Sequence, residues 1–192
     1  MDLLIVAVTG TPGAGKSHLA KALEKEIPNS KAIEINDIVN KYKLYSGKDK
    51  FGTKIVKLGA LSAALRRELR KYTGMTVFVT GHLAPELRLH YAVAVVKRES
   101  LETIAKRLEE RGYPKEKIKE NLIVEATDYC GGKMSGICAE TYEVETKSDI
   151  KRIVRYIAAL SEGKRAKRPR KREINKLNDL LKLVKKGNRY GL

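Results

Sequence analysis

The chain has 192 residues, of which 42% are hydrophobic and 33% charged, and carries a net charge of +17. That length and balance fit one globular domain with a basic appendage. No run approaches the roughly 18 consecutive apolar residues of a membrane span, and Leu3–Val8 is too short for a signal-peptide core. Two cysteines, Cys130 and Cys138, exclude a disulfide-dense secreted scaffold, and no Cys/His pairs stand at zinc spacing. A soluble cytoplasmic protein without a membrane partner is expected, with the nucleus as the alternative compartment if the cell has one.

The chain opens on the apolar run Leu3–Val8, read as a buried strand, followed by GTPGAGKS at Gly10–Ser17 and a helical stripe of Leu19, Ala20, Leu23 and Ile27. Strand, loop and helix together satisfy G-x-x-x-x-G-K-[ST] in its proper context. Gly10, Gly13 and Gly15 let backbone N–H groups approach phosphates, and the helix N-terminus favours their charge. Lys16 can reach the β- and γ-phosphates, and the Ser17 hydroxyl suits Mg²⁺. Gly13, Gly15, Lys16, Ser17 and His18 are thus the candidate contacts to ATP, bound with Mg²⁺.

Four more strand-like runs follow, Lys31–Ile35, Met75–Thr80, Tyr91–Val96 and Thr141–Val144, with helices predicted over Lys54–Tyr72, Leu101–Arg111 and Asp149–Leu160, the last capped by Ser148. Alternating βα units imply an α/β fold, a five-stranded parallel sheet with helices on both faces. Ligands bind such sheets beyond the carboxyl ends of the strands, where the loops hold Gly13, Asp37 and His82. Asp37 ends the second strand, suited either to Mg²⁺ and the acceptor or to capping the next helix. Arg107 and Arg111 stand at i and i+4 on one helix face, just before a stop at Gly112–Pro114; such cations can close over phosphates, or be ordinary exposed charges.

Thr146–Asp149 and Asp128–Gly131 formally match guanine-reading and switch patterns, but only eighteen residues separate them, so the first is read as a strand end and helix cap. Cys130 and Cys138 read as two buried small side chains.

Residues 164–192 hold twelve basic and two acidic side chains. Gly163–Arg172, with Pro169, reads as an extended, solvated linker outside the core; Ile174, Leu177, Leu181 and Val184 then recur at helical spacing up to a stop at Gly187. Seven Lys or Arg among Lys164–Arg172 suit RNA phosphates, without aromatic interleaving for base stacking.

With Gly10–Ser17, Asp37, TGHL at Thr80–Leu83 and KRLEERGYPKEKIKENLIVEA at Lys106–Ala126, residues 1–160 resemble the adenylate kinase-like ATPases of small ribosomal subunit maturation, whose archaeal members are called nucleoside monophosphate kinases. The resemblance implies a P-loop nucleoside monophosphate kinase-like fold over residues 1–162, with an AMP-side segment at about 34–56, a short lid at about 110–120 and the basic extension 163–192. It implies that Lys16, Arg107 and His82 are catalytic, that Arg111 contacts ATP from the lid, and that a small-subunit ribosomal protein and rRNA are partners. AMP or another monophosphate is the acceptor it implies.

Two departures stand out. Thr80 occupies the place where the family usually has an acidic residue, which weakens the support of Mg²⁺ or leaves it to Asp37. Lys41–Leu58 is basic where acidic residues are expected, which leaves ATP hydrolysis with poor transfer to AMP as the alternative activity, and an ATP-switched assembly factor as the alternative role.

Overall fold

The computed structural model describes residues 2–185 and 190. In chain order, β1 (Leu4–Thr9), α1 (Lys16–Glu26), β2 (Ser30–Glu34) and α2 (Ile35–Lys41) precede a hairpin of β3 (Tyr45–Lys48) and β4 (Lys54–Val56). Then come α3 (Leu58–Leu69), β5 (Thr76–Thr80), β6 (Val93–Lys97), α4 (Leu101–Glu110), α5 (Lys115–Ala126), α6 (Tyr129–Ser135), β7 (Thr141–Val144), α7 (Lys147–Ser161) and α8 (Leu177–Lys185). The sheet has the order β2-β5-β1-β6-β7 and is parallel throughout. All five predicted strands are in it, each within two residues of its expected ends.

Alternation along the strands divides the core. Ala7, Val77, Val79, Ala94 and Val96 pack against Leu61 and Leu65 of α3 and Met134 of α6. Val6, Val8, Phe78, Val93 and Val95 pack on the other face against Leu19 and Leu23 of α1 and Ile153 and Ile157 of α7. A satellite cluster joins Leu101, Ile104 and Leu108 of α4 to Ile118 and Leu122 of α5 and reaches Ala14 in the loop after β1. Because the chain leaves β1 toward β5 on one side and β6 on the other, that loop stands at the point where the sheet's connection reverses, which opens a crevice there.

The helix expected over Lys54–Tyr72 starts late. Lys54–Val56 instead pairs with β3, around a turn in which Asp49 Oδ1 accepts from Phe51 N at 2.8 Å and Thr53 N at 2.9 Å, with Gly52 at φ +77°. Ile55 is therefore exposed, as is Leu58 at the start of α3, whereas Leu61, Leu65 and Leu69 are buried. Helix α7 is capped by Thr146 and not by Ser148: Thr146 Oγ1 accepts from Asp149 N, and Asp149 Oδ2 accepts from Thr146 N, a reciprocal capping box. Asp149 is thereby committed to the helix start, as the strand-end-and-cap reading requires. Asp128 caps α6 and is no strand end.

The C-terminal arm is not a free linker. Residues 164–176 lack regular structure, as expected as far as Arg172, but run beside 139–145: Arg168 meets Glu140 at 3.0 Å, Lys171 Nζ donates to Ala139 O at 2.7 Å, Ile174 N donates to Glu143 Oε2 at 3.0 Å, and Lys176 pairs with Glu145. Carboxylates on this edge pair with part of the arm's cations, and Ile174 and Lys176 are buried. The predicted helical stripe is also rephased. Since α8 begins only at Leu177, Ile174 lies outside it, and Leu180 and Leu183 face the α4–α5 cluster while Leu177, Leu181 and Val184 are exposed. The expected stop at Gly187 lies outside the described residues.

Candidate active site

Packing dictates glycine in the loop. A Cβ on Gly10, at φ +138°, would lie 2.4 Å from Lys97 O, and one on Gly13, at φ +91°, would lie 3.3 Å from Ile104 Cγ2. The loop carbonyl of Thr11 accepts from Ala14 N at 3.1 Å and from Lys16 Nζ at 2.9 Å. Burial chiefly, helped by the Arg111 charge, brings the Lys16 ammonium down to about 8, against the pull of Cys130, Glu125 and Glu34. A half-buried cation of this kind is poised for a phosphate, whose negative charge favours its protonated form.

An open cavity of about 420 Å³ faces the loop, lined by Gly13, Gly15, Lys16, Ser17 and His18 and walled by Lys97, Glu99, Arg107 and Arg111. The i, i+4 spacing thus places both arginines over the phosphate site. Arg107 Nη1 donates to Gly13 O at 2.8 Å and pairs with Glu99 at 3.3 Å. It lies parked on the loop's own carbonyl, from which a phosphate would draw it. The segment expected as a lid comprises the end of α4, the turn at 111–114 and the first half of α5.

Sequence reasoning missed the group that anchors the loop. Thr11 Oγ1 donates to Glu125 Oε2 at 2.6 Å, while Glu125 Oε1 accepts from Arg98 Nε at 3.0 Å and from Glu99 N at 3.1 Å. Arg98, 1% exposed, also meets Asp128 at 2.6 Å and Glu143 at 2.8 Å. One buried carboxylate on α5 therefore fixes both the loop and the wall that carries Arg107's partner. No local motif marks Glu125, since its partners are distant in sequence.

His82 follows β5 as predicted but lines a second open cavity of about 420 Å³, with Asn36, Asn40, Lys54 and Tyr113. Its ring keeps an exposed edge, yet desolvation by the cleft walls, then the charges of Lys16 and Lys117, push the imidazole down to about 4. It is neutral at pH 7. Following the His82 ring signals by NMR should show a midpoint well below the ordinary value of about 6.5; titration near 6.5 would refute this crowding.

Asp37 does not end the second strand. Because α2 starts at Ile35 directly after β2, Asp37 is exposed in the first turn of that helix and supplies no cap hydrogen bond. Neither cavity is lined by it. The carboxylate from this strand that acts on Lys16 is Glu34. It pairs in register with Thr80, and alternation puts both on the sheet face covered by α1, the helix that carries Ser17. Thr80 Oγ1 is buried without a partner among the described residues. A buried free hydroxyl beside a carboxylate, on the face of the loop serine, fits the waters of a hydrated Mg²⁺. Cys130 and Cys138 are free and buried, and burial raises the Cys130 thiol to about 11.

A glycine-lined phosphate loop at the switch point of a five-stranded parallel sheet, walled by two arginines, defines a P-loop protein of the kinase fold. A family model described as "AAA domain" matches residues 6–128. A Methanocaldococcus jannaschii protein named "Putative adenylate kinase" is 34% identical over 151 residues, covering 78% of this chain and 81% of its own. A Methanosarcina mazei protein of the same name is 29% identical over 185 residues, covering 83% and 91%. The chain belongs to this adenylate kinase-like P-loop family. Among solved structures, shikimate kinase from Acinetobacter baumannii in complex with shikimate is similar in fold, with a TM-score of 0.53 at 16% identity over 87% of this chain and 96% of that one.

Proposed function

We propose that the protein transfers the terminal phosphate of MgATP to AMP or another nucleoside monophosphate, with slower hydrolysis of ATP. The observation that carries this reading is the second cavity. A hydrolase needs room only for water, but here a separate pocket as large as the phosphate cavity lies beyond His82, with Asn36, Asn40 and Lys54 offering polar contacts to an acceptor. The names of the archaeal relatives support it.

Phosphoryl transfer asks the protein for positioning and charge neutralisation more than for covalent chemistry. The loop N–H groups at Gly13 and Gly15 hold the donor phosphates, and Lys16 stabilises the charge that shifts between them. Arg107 exchanges Gly13 O for a phosphate oxygen, and Arg111 closes from the turn after α4. Mg²⁺, when bound, neutralises and orients phosphate oxygens; Ser17 would ligand it, with Glu34 and Thr80 holding its waters. Neutral His82 orients the attacking group, as a hydrogen-bond partner of an acceptor phosphate or of water.

Product analysis with MgATP, with and without AMP, tests the reading. ADP should form at two per AMP consumed, with little free phosphate. Release of phosphate indifferent to AMP would replace the kinase by an ATPase. A second reading rests on the charge of the appendage: an ATP-switched assembly factor that associates with a small-subunit ribosomal protein and rRNA. Among the described residues no helix is long and apolar enough to cross a membrane.

A further inference from the structure

We propose that the exposed face of α7 and the docked C-terminal arm together form a binding surface for the phosphodiester backbone of RNA, away from the phosphate loop. The proposal extends the assembly-factor reading from the appendage to a surface built by the folded domain.

Unspent charge carries it. Most carboxylates of this edge are taken: Glu140 by Arg168, Glu143 by Arg98, Asp149 by Arg152 and Arg172, Glu145 by Lys176 and Glu162 by Lys164, and Glu173 is the one exposed carboxylate that the arm itself contributes. Among the described residues, six cations here meet no carboxylate: Lys147, Lys151 and Arg155 on α7, and Arg165, Lys167 and Arg170 on the arm. All six are exposed. The three on α7 recur at i, i+4 and i+8, about 6 Å of helix rise apart, so they form a single row. The arm is held to the same helix, because Pro169, Arg170 and Arg172 line a small cavity with Asp149, Arg152 and Ile153. Six exposed cations, three along the helix and three on the arm packed against its flank, match a chain of regularly spaced anions better than they match a single small ligand.

The partner's chemistry follows from what the strip lacks. No large exposed hydrophobic residue lies between 147 and 172, so nothing on it would enter the acyl region of a bilayer. It holds no exposed aromatic ring to stack on a base, so binding is to the backbone and indifferent to sequence. Docking also fixes the arm in advance, which lowers the ordering cost that a free basic tail would meet on binding.

The test measures binding of a single-stranded RNA 20-mer to the full chain by fluorescence anisotropy at several salt concentrations. Neutralising about six phosphates gives a slope of log K against log salt of about −4, and removal of three cations should bring it to about −2. The triple variants Lys147→Ser/Lys151→Ser/Arg155→Ser and Arg165→Ser/Lys167→Ser/Arg170→Ser should each lose this much slope and at least tenfold affinity at low salt, with ATP binding unchanged. Loss in the arm variant alone would overturn the shared surface while sparing the reading of a basic RNA-binding tail; loss in neither would overturn both. Tighter binding to phosphatidylcholine–phosphatidylserine vesicles than to RNA at equal salt would overturn it in favour of a membrane.

Discussion

Replacing Lys16 by alanine is expected to lower phosphoryl transfer by a factor on the order of 10²–10³, the scale set by removing one preorganised electrostatic group from a transition state. The lysine is held close to the loop by Thr11 O, at 2.9 Å, and largely shielded from water. Arg107 and Arg111 reach the phosphates from the α4 side of the cavity and do not take the place of a cation held on the loop itself. The loss should fall mainly on kcat, because the loop N–H groups still bind the donor. It would be measured as ADP formed per unit time in the coupled assay. Full turnover in Lys16→Ala would remove the phosphate loop from the reaction and with it the proposed function.

The second large effect concerns stability. Arg98→Met should destabilise the fold by about 3–5 kcal/mol, the cost of stripping one partner from a buried ionic cluster. Arg98 meets Glu125, Asp128 and Glu143 together, through contacts of 3.0, 2.6 and 2.8 Å, as no other cation does among the described residues. Methionine fills similar space but leaves three carboxylates facing one another, of which Glu125 and Glu143 have little access to water. Against a typical total of about 5–15 kcal/mol, that is a large share. Urea denaturation monitored by circular dichroism would read it directly. A change below about 1 kcal/mol would mean that the cluster is already neutralised by proton uptake. Adding Glu125→Leu should restore part of the loss, since the most buried unpaired charge is then gone as well.

How far the sequence carries can be judged from these same residues. The phosphate loop was legible because its chemistry is local: glycines, Lys16 and Ser17 sit within eight positions between an apolar run and a helical stripe. The sheet was legible because parallel strands buried on both faces read as continuous apolar runs. Helices α5 and α6 were not delimited, and the reason is visible in their burial. Asn121 and Glu125 are polar residues on the buried face of α5, and α6 contains Gly131 and Gly132, so neither shows a clean apolar period. Glu125 acts on Thr11 across 114 positions of chain, a pairing that only the folded sheet creates. Glu34 needed the strand register for the same reason. The arm was misjudged because composition records its cations but not the carboxylates waiting along β7.

That arm occupies a particular place. The sheet ends at β2 on one side and at β7 on the other, and an open strand edge is a template for any extended chain that meets it. On the β7 side the arm runs in the same direction as the strand, with Arg168, Ile174 and Lys176 meeting Glu140, Glu143 and Glu145 in turn. It stands where a foreign strand would approach, without itself completing a sixth strand that could pass the problem outward. The β2 edge is protected differently, by the exposed charge of Lys31, which pairs with Glu24 at 3.0 Å. The basic appendage thus serves the protein's solubility by shielding as well as by charge, and proteolytic nicking within it would uncover a site for edge-to-edge aggregation.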